Sequence, residues 1–568
     1  MIVKFKRNES AGWRFHMAFK ETNYLLMKLN YLIVIVIILI IFKATVASGQ
    51  VAIIPKPSKM VELGGKFKLD KNTRISVDQS NQDLKRVVDD FRAFLKMPMG
   101  FEMKYTGRSP NSGCIAITLD SLILNKEGYL LKVTPDKIMV KAKSPAGIFY
   151  ALQTLRQLLP PEIENQLSGT KIWEVPAVEI EDAPRFEHRG FMLDVARHFQ
   201  PVEVLMRYID LLSFYKINHF HLHLTDDQGW RIEIKKYPKL QDISAWRKES
   251  IVGHAGDKPR KYDGIRHGGY YTQEQLKEVV KYAQSHFITI IPEIELPGHS
   301  TAALAAYPEL TCFPKKFEVT PEYGVFEDVY CTKESTFKFL EDVLTEVVEI
   351  FPGKMIHIGG DECPKIRWKT CPSCQQLIQQ EKLKDENELQ SYFIKRIQKF
   401  LDGKGRNIIG WDEIMEGGLA PGATLMYWRT WLGDKHIAEA AQAGFKIIMS
   451  PLEPLYFNLY ENEERLITPL AYPGLIPLEK VYNYNPVPLK LTGKDAQNII
   501  GVQANLWSEY VKDGKGAEYM TFPRACALAE IGWSPQASKD YADFIRRLKT
   551  NSKHLDLLNV NYSKYFIK

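Results

Sequence analysis

The sequence predicts an α/β protein, a (β/α)8 TIM barrel catalytic domain preceded by a smaller α+β domain. Three observations carry this. From Arg189 onward, eight short apolar runs of strand character alternate with helical stretches. They occupy roughly 360 residues, within the size range of such barrels. Nearly every run ends in an Arg, an acid, a His, a Trp or a Tyr, which is where a barrel of this kind carries its active site. Residues 51 to about 183 instead hold short β-rich runs and only two helical stretches, a separate pattern.

The chain has 568 residues, 45% of them hydrophobic and 25% charged, which is ordinary for a globular protein with room for two domains. The net charge of +7 is spread thinly. No basic block points to nucleic acid. Leu29 to Phe42 is an apolar run preceded by Lys28 and followed by Ala44, Ala47, Ser48 and Gly49. Its uninterrupted part, Tyr31 to Phe42, is short for a membrane span and fits a signal-peptide core. The stretch before Met27 is unusual for a signal peptide, so Met27 is the expected start. Residues 1–49 are read as an extension plus signal peptide, and the protein as exported, periplasmic or extracellular. An uncleaved N-terminal anchor is the alternative, the one case in which a membrane would be a partner. The absence of a cysteine near the cleavage region argues against a lipid-anchored form.

In the small domain, assigned to residues 50–183, the strands are Arg74 to Val77, Cys114 to Leu119, Tyr129 to Val133 and Lys137 to Lys141. Helices are expected over Leu84 to Leu95 and over Ala146 to Leu159, the second stopped by Pro160 and Pro161. No cluster of catalytic residue types falls here, so a supporting role is expected. The barrel domain takes residues 184–568. Its strands are Gly190 to Asp194, His219 to Leu224, Ile288 to Glu295, Met355 to Ile358, Asn407 to Gly410, Ala423 to Tyr427, Phe445 to Met449 and Ile499 to Gln503. Helices between them include Pro201 to Tyr215, with proline in its first turn. Another covers Thr272 to Ser285, with Leu276, Val279, Val280 and Ala283 at helical spacing. A third carries Leu389, Phe393, Ile397 and Phe400 and stops at Gly403.

The chemistry centres on Lys354 to Cys363. Met355, Ile356 and Ile358 form a buried strand, and Gly359 and Gly360 remove side chains where something must approach the backbone. Asp361 and Glu362 follow directly. Two adjacent carboxyls at the end of an apolar strand oppose each other's ionisation. Such a pair lets one acid hold a proton near neutrality while the other stays charged. The bland alternative is a helix N-cap ahead of Pro364. Trp411, Trp428, Trp507 and Tyr456 stand at strand ends and could line a small pocket whose aromatic faces suit the C–H faces of sugars; singly, each reads equally well as packing. Arg197 and Glu509 could supply charged hydrogen bonds to hydroxyls; singly, each reads rather as a member of a surface ion pair. Aromatics, such charges and an acid pair together suggest glycoside hydrolysis.

Two other features bear on metal and redox chemistry. His219, His221 and His223 alternate on one strand and share a face, as in the metal sites of zinc-dependent hydrolases. Only His223 is near the active end, so packing or supporting hydrogen bonds are preferred, with no metal and no cofactor. Seven cysteines leave at least one unpaired. Cys312 and Cys331 bracket a loop and are the expected disulfide, since export permits one. Cys363, Cys371 and Cys374 form a second cluster with a Cys-x-x-Cys pair; zinc would want four ligands, and only three stand close in sequence, so a structural role is expected.

Six segments together resemble the glycoside hydrolase family 20 β-N-acetylhexosaminidases, exported bacterial members above all. They are Arg189-Gly-Phe-Met-Leu-Asp-Val-Ala-Arg-His-Phe199, His223-Leu-Thr-Asp-Asp-Gln-Gly-Trp-Arg231, Pro292-Glu-Ile-Glu-Leu-Pro-Gly-His299, His357-Ile-Gly-Gly-Asp-Glu362, Gly410-Trp-Asp-Glu413 and Gln503-Ala-Asn-Leu-Trp-Ser-Glu509. The resemblance covers essentially everything after the signal segment. It implies an exo-acting enzyme that removes terminal β-linked GlcNAc or GalNAc with retention, using the substrate's own 2-acetamido oxygen as nucleophile. The family is an exception to the usual two-carboxylate scheme. By resemblance, Glu362 is the general acid and base with a raised pKa, and Asp361 stays ionised and orients the acetamido N–H. Trp411, Trp428 and Trp507 wall the pocket, Tyr456 donates to the acetamido oxygen, and Asn458 is a weaker carry-over. Arg197 and Glu509 bind ring hydroxyls, and Asp226 with His299 tunes the acid. Expected partners are terminal β-GlcNAc or GalNAc glycans or chitooligosaccharides. Glu295 departs from the pattern, standing where many relatives carry Asp.

Overall fold

The computed structural model describes residues 51–165, 173–464 and 468–567. The apolar segment Leu29 to Phe42 and the start at Met27 lie outside the described residues. No helix among the described residues is long and apolar enough to cross a membrane.

The first part of the chain forms a seven-stranded sheet. Its strands are β1 (Lys59–Leu69), β2 (Arg74–Ser76), β3 (Lys104–Tyr105), β4 (Cys114–Leu119), β5 (Tyr129–Val133), β6 (Lys137–Ala142) and β7 (Trp173–Asp182), ordered β1-β7-β5-β6-β4-β2-β3. Alternation puts Ile115 and Ile117, Leu131 and Val133, and Ile138 and Val140 in the core. Helices Gln82–Met99 and Pro145–Leu158 also belong here. The first is longer than expected at both ends. Asn81 accepts from Leu84 N and starts it, and Gly100, at φ +72°, stops it.

The second part is a closed barrel of eight parallel strands: β8 (His188–Asp194), β9 (His219–His223), β10 (Thr289–Leu296), β11 (Met355–Gly359), β12 (Asn407–Trp411), β13 (Thr424–Tyr427), β14 (Lys446–Met449) and β15 (Ile499–Leu506). Each pairs with the next in the chain, and β15 closes on β8 in the register Gly501 to His188 through Leu506 to Leu193. All eight expected strands are present. Helices cover Val202–Phe214, Gln273–Ser285, Glu334–Ile350 and Glu386–Gly403 among others. Pro201 is the N-cap rather than the first helical residue. Thr272 and Gln275 form a reciprocal capping box at Gln273–Ser285.

The sheet domain meets the barrel at the N-terminal ends of its strands. Arg189 Nη1 lies 2.8 Å from Glu127 Oε2, and Asn218 Nδ2 donates to Glu127 Oε1 at 3.1 Å. Lys216 Nζ lies 3.2 Å from Asp182 Oδ2, with both side chains fully buried. Asp182 also accepts from Tyr129 Oη at 2.6 Å and from Trp533 Nε1 at 2.9 Å. The small domain therefore braces the end of the barrel opposite the acid pair.

Two cysteine expectations are corrected. All seven cysteines are free thiols, with no Cys312–Cys331 disulfide. The sulfur cluster is Cys312, Cys331, Cys371 and Cys374. Cys363 is not part of it. Chain proximity suggested Cys363, Cys371 and Cys374; the fold keeps the last two and supplies two more by bringing the Cys312–Cys331 loop onto the helix start at Cys371.

Candidate active site

The acid pair owes its position to two glycines. A Cβ on Gly359 would lie 1.8 Å from Glu295 Oε1, and one on Gly360 would lie 2.5 Å from Ile414 Cγ2. What approaches the backbone here is therefore the Glu295 carboxyl, and Gly360 N donates to its Oε1 at 3.1 Å. Burial, with Asp361 and Glu293 nearby, pushes Glu295 well above the usual carboxylate range. The chain then turns through Asp361 to Glu362, which sits at φ +44°; His299 opposite sits at φ +45°. Two non-glycine residues in left-handed backbone conformations, facing each other across one site, carry strain that the surrounding fold holds.

Arg197, His299, Asp361, Glu362, Trp428, Tyr456, Asn458, Trp507 and Glu509 line one cavity of about 260 Å³ at the C-terminal end of the barrel. The rings of Trp428 and Tyr456 stack with centroids 6.1 Å apart, and Tyr456 and Trp507 meet at 6.1 Å. Trp428 Nε1 donates to Glu413 Oε2 at 2.9 Å, which fixes the indole. Arg197 is held by Asp226 Oδ2 at 2.7 Å, Asp194 Oδ2 at 3.2 Å and Gln228 Oε1 at 2.8 Å. Its guanidinium lies 4.9 Å from the Trp507 ring centroid.

Two expected members stand behind this surface. Trp411 is only 1% exposed, against 9% for Trp428 and Trp507. It packs 5.8 Å behind Trp507 and donates from Nε1 to Glu293 Oε1 at 2.9 Å. It supports the wall rather than forming it. Asp226 lies beneath Arg197 and 3.0 Å from His223 Nε2. The nearer partner of His299 is Asp227, with Oδ2 3.0 Å from Nδ1, while Asp226 Oδ1 is at 3.5 Å. Asp227 is locked in turn by Thr301, whose N and Oγ1 donate to its Oδ1 at 2.9 Å and 2.7 Å. Asp227 carried no expected role, because adjacent aspartates look alike along the chain until geometry separates them. Glu453 and Tyr472 also line the cavity and went unassigned. Both stand in excursions after a strand, where no periodicity marks them.

The histidines of β9 have partners inside the barrel. His223 Nδ1 bonds Glu293 Oε2. His221 Nε2 lies 3.0 Å from the same oxygen, and His357 Nδ1 lies 2.8 Å from Oε1. His219, at the other end of the strand, stacks on His188 with centroids 4.2 Å apart.

Charge is distributed otherwise than expected. Burial disfavours the His299 cation, but Asp226, Asp227 and Glu362 outweigh it and hold the imidazole well above its ordinary value. His299 Nε2 lies 3.4 Å from Glu362 Oε2 and 3.8 Å from Asp361 Oδ2. Burial raises Glu362 too, but the hydrogen bond and charge of His299, with the charge of Arg197, prevail and hold it below the ordinary glutamate value. Asp361 is pushed up to about 6 by burial and by the Glu362 charge, against the pull of His299. This reverses the expected order for the ligand-free protein. Burial raises both acids, but Glu362, with a side chain 41% exposed, has the His299 hydrogen bond to outweigh it, whereas Asp361, only 12% exposed, does not. Water still solvates the Glu362 carboxylate, whereas Asp361 has already lost it.

A closed parallel barrel with paired acids and aromatic walls at its C-terminal mouth belongs to the class of barrel proteins built around a carboxylate pair. The particular family is set by comparison. Residues 186–536 match the catalytic domain of glycosyl hydrolase family 20, and residues 50–183 match domain 2 of that family. The chain belongs to glycosyl hydrolase family 20. It is 45% identical over 515 residues to a β-hexosaminidase of Porphyromonas gingivalis, covering 90% of this chain and 64% of that one. The chain thus spans just under two thirds of that relative's length. A β-hexosaminidase of Vibrio furnissii is 35% identical over 491 residues, covering 85% of this chain and 77% of its own. Among solved structures, the family 20 β-N-acetylhexosaminidase of Streptomyces coelicolor A3(2) superposes with a TM-score of 0.78 at 30% identity. That match covers 90% of this chain and 97% of the other. A mutant Streptomyces plicatus β-hexosaminidase in complex with the product GlcNAc gives 0.78 at 31%, covering 90% and 96%.

Proposed function

We propose that this protein is an exo-acting β-N-acetylhexosaminidase that removes terminal non-reducing β-linked GlcNAc or GalNAc with retention. The observation that carries the reading is the acid pair on the wall of an aromatic cavity, with Asp361 Oδ1 buried and without a hydrogen-bond partner. A substrate acetamido N–H would satisfy that oxygen, and in doing so would favour the ionised form of Asp361. The cavity, at about 260 Å³, falls below the roughly 300 Å³ at which drug-sized ligand pockets begin. That suits one sugar residue and hence exo action.

In the first step the acetamido oxygen attacks the anomeric carbon as the bond to the leaving oxygen breaks. Glu362 passes its proton to that oxygen, and Asp361 stabilises the positive charge gathering on the acetamido nitrogen. In the second step Glu362 takes a proton from water, whose oxygen adds to the anomeric carbon and reopens the ring. Two inversions give net retention. Below about pH 6 the proton the acid needs sits on Asp361 in the free protein. A bound sugar moves it, because it excludes water from Glu362 and donates a hydrogen bond to Asp361. Trp428, Tyr456 and Trp507 would face the acetamido group and ring, and Arg197 and Glu509 the hydroxyls.

Comparing an aryl β-N-acetylglucosaminide with the matching aryl β-glucoside tests the mechanism. Strong preference for the acetamido sugar is expected, because the glucoside lacks the internal nucleophile. Equal rates would overturn it. Export is part of the proposal and rests on the apolar run Leu29 to Phe42; N-terminal sequencing of the secreted protein checks it, with a first residue between positions 45 and 51 expected.

A further inference from the structure

The four clustered thiols lie outside the cavity and take no part in the chemistry above. Their sulfurs all fall within 4.8 Å of one another. Cys312 Sγ is 3.6 Å from Cys374 Sγ, Cys331 Sγ is 3.7 Å from Cys371 Sγ, and Cys331 Sγ is 3.6 Å from Cys374 Sγ. Four thiolates placed tetrahedrally about a zinc ion, each about 2.3 Å from it, stand about 3.8 Å apart. A disulfide would instead draw two sulfurs to about 2.05 Å. These three spacings are those of a tetrahedron's edges.

Each pair of sulfurs has its own scaffold. Cys371 is the N-cap of helix Pro372–Gln380, and Cys374 lies in its first turn, a Cys-x-x-Cys pair bent around a helix start. The loop residues Thr311 and Tyr330 form an isolated antiparallel bridge, and Cys331 N donates to Leu310 O at 2.8 Å. This sets Cys312 and Cys331 side by side. All four are buried. Thr332 Oγ1 donates to Cys374 Sγ at 3.3 Å, the kind of outer hydrogen bond that orients a metal ligand. Lys333 Nζ donates to Thr311 O at 3.0 Å, next to Cys312, and leaves a cation beside the cluster.

We propose that Cys312, Cys331, Cys371 and Cys374 form a structural zinc site. Four protein ligands fill a tetrahedral ion's coordination and leave no open position for catalysis. Binding Zn²⁺ releases four thiol protons and leaves a tetrathiolate site of net charge −2, which the neighbouring Lys333 ammonium helps offset. The ion would tie two loops together. One follows β10 and carries His299; the other follows β11 and carries Glu362. Trp368 Nε1 donates to Tyr330 O at 3.0 Å, and Tyr330 N to Pro297 O at 3.0 Å, so the site is coupled to both by direct hydrogen bonds. A zinc clasp here would hold the acid and its histidine in register.

Metal analysis of the full chain, purified from zinc-supplemented medium without chelator, tests this. About one zinc per chain is expected, released as an organomercurial titrates the thiols, together with seven reactive thiols once the protein is denatured in chelator. Cys374→Ser should lower bound zinc at least tenfold, and Cys114→Ala, in the other domain, should leave it unchanged. Only three reactive thiols and no metal would mean two disulfides and overturn the proposal. Seven thiols without metal, or iron in place of zinc, would overturn it as well. The wild-type measurement decides the matter even if Cys374→Ser does not fold.

Discussion

The two ends of the barrel use the same residue types to opposite purposes. At the N-terminal end, buried charges are fully partnered: Asp182 takes Lys216, Tyr129 and Trp533, and Glu127 takes Arg189 and Asn218. At the C-terminal end, Asp361 Oδ1, Asn458 Oδ1, Trp507 Nε1 and Glu509 Oε2 are buried without a hydrogen-bond partner. Buried polar groups in folded proteins are satisfied as a rule. A run of exceptions around one cavity therefore marks where a polar ligand completes the structure. Backbone strain does not follow this division: Glu362 and His299 are left-handed at the mouth, but so is Lys216, at φ +62°, at the opposite end. The lesson is that polarity alone does not separate support from chemistry; between these two clusters, it is the satisfaction of the polar groups that differs.

The contrast is broken most severely at the acid. Glu362→Gln is expected to lower kcat on substrates with poor leaving groups by about 10²–10⁴-fold, the usual worth of general acid catalysis. Inhibitor binding should persist, and calorimetric titration with a GlcNAc-derived inhibitor checks it. Loss of both would mean that Glu362 is structural. At the opposite end, Asp182→Ala strands the Lys216 ammonium in the interior and should cost roughly 3–5 kcal/mol of stability. Urea unfolding measures this, and kcat of the folded fraction should be unchanged. A large kcat loss would show that the two ends are not separable.

A pH profile sharpens the comparison within the site. The active arrangement needs one proton on the Asp361–Glu362 pair. Asp361 holds it in the free protein with a value of about 6, so kcat/KM should fall as pH rises above about 6 and the pair loses that proton. At low pH it should fall again, as Glu362, held below its ordinary value, also becomes protonated. In Asp361→Asn the limb near pH 6 should disappear. A profile with that limb intact would assign it to another group. The smallest effect is expected at Trp411, whose indole supports the wall from behind: Trp411→Phe should raise KM a few-fold by loosening Trp507, with kcat nearly unchanged.

Much of this was legible along the chain. The eight strands are local apolar runs with turn residues between them, and period and length suffice to find them. Gly359, Gly360, Asp361 and Glu362 are contiguous, so their juxtaposition needed no fold. Depth was not legible. Trp411 ends one strand and Trp428 follows another, yet one is sealed behind Trp507 and the other faces the cavity. Asp226 and Asp227 are neighbours, but their side chains serve different partners, Arg197 and His299. The cysteine cluster was miscounted because Cys312 and Cys374 are far apart in sequence and meet only when two barrel loops pack together.

The sequence by itself determined the barrel, the domain order, the acid pair and the residue types around it, because these depend on short-range pattern and on identity. The tertiary structure decided which of the two acids is the weaker and which tryptophans touch the cavity. It also decided which four sulfurs converge. Those properties depend on solvent exposure and on distances between segments remote in the chain, and neither exists until the fold is closed.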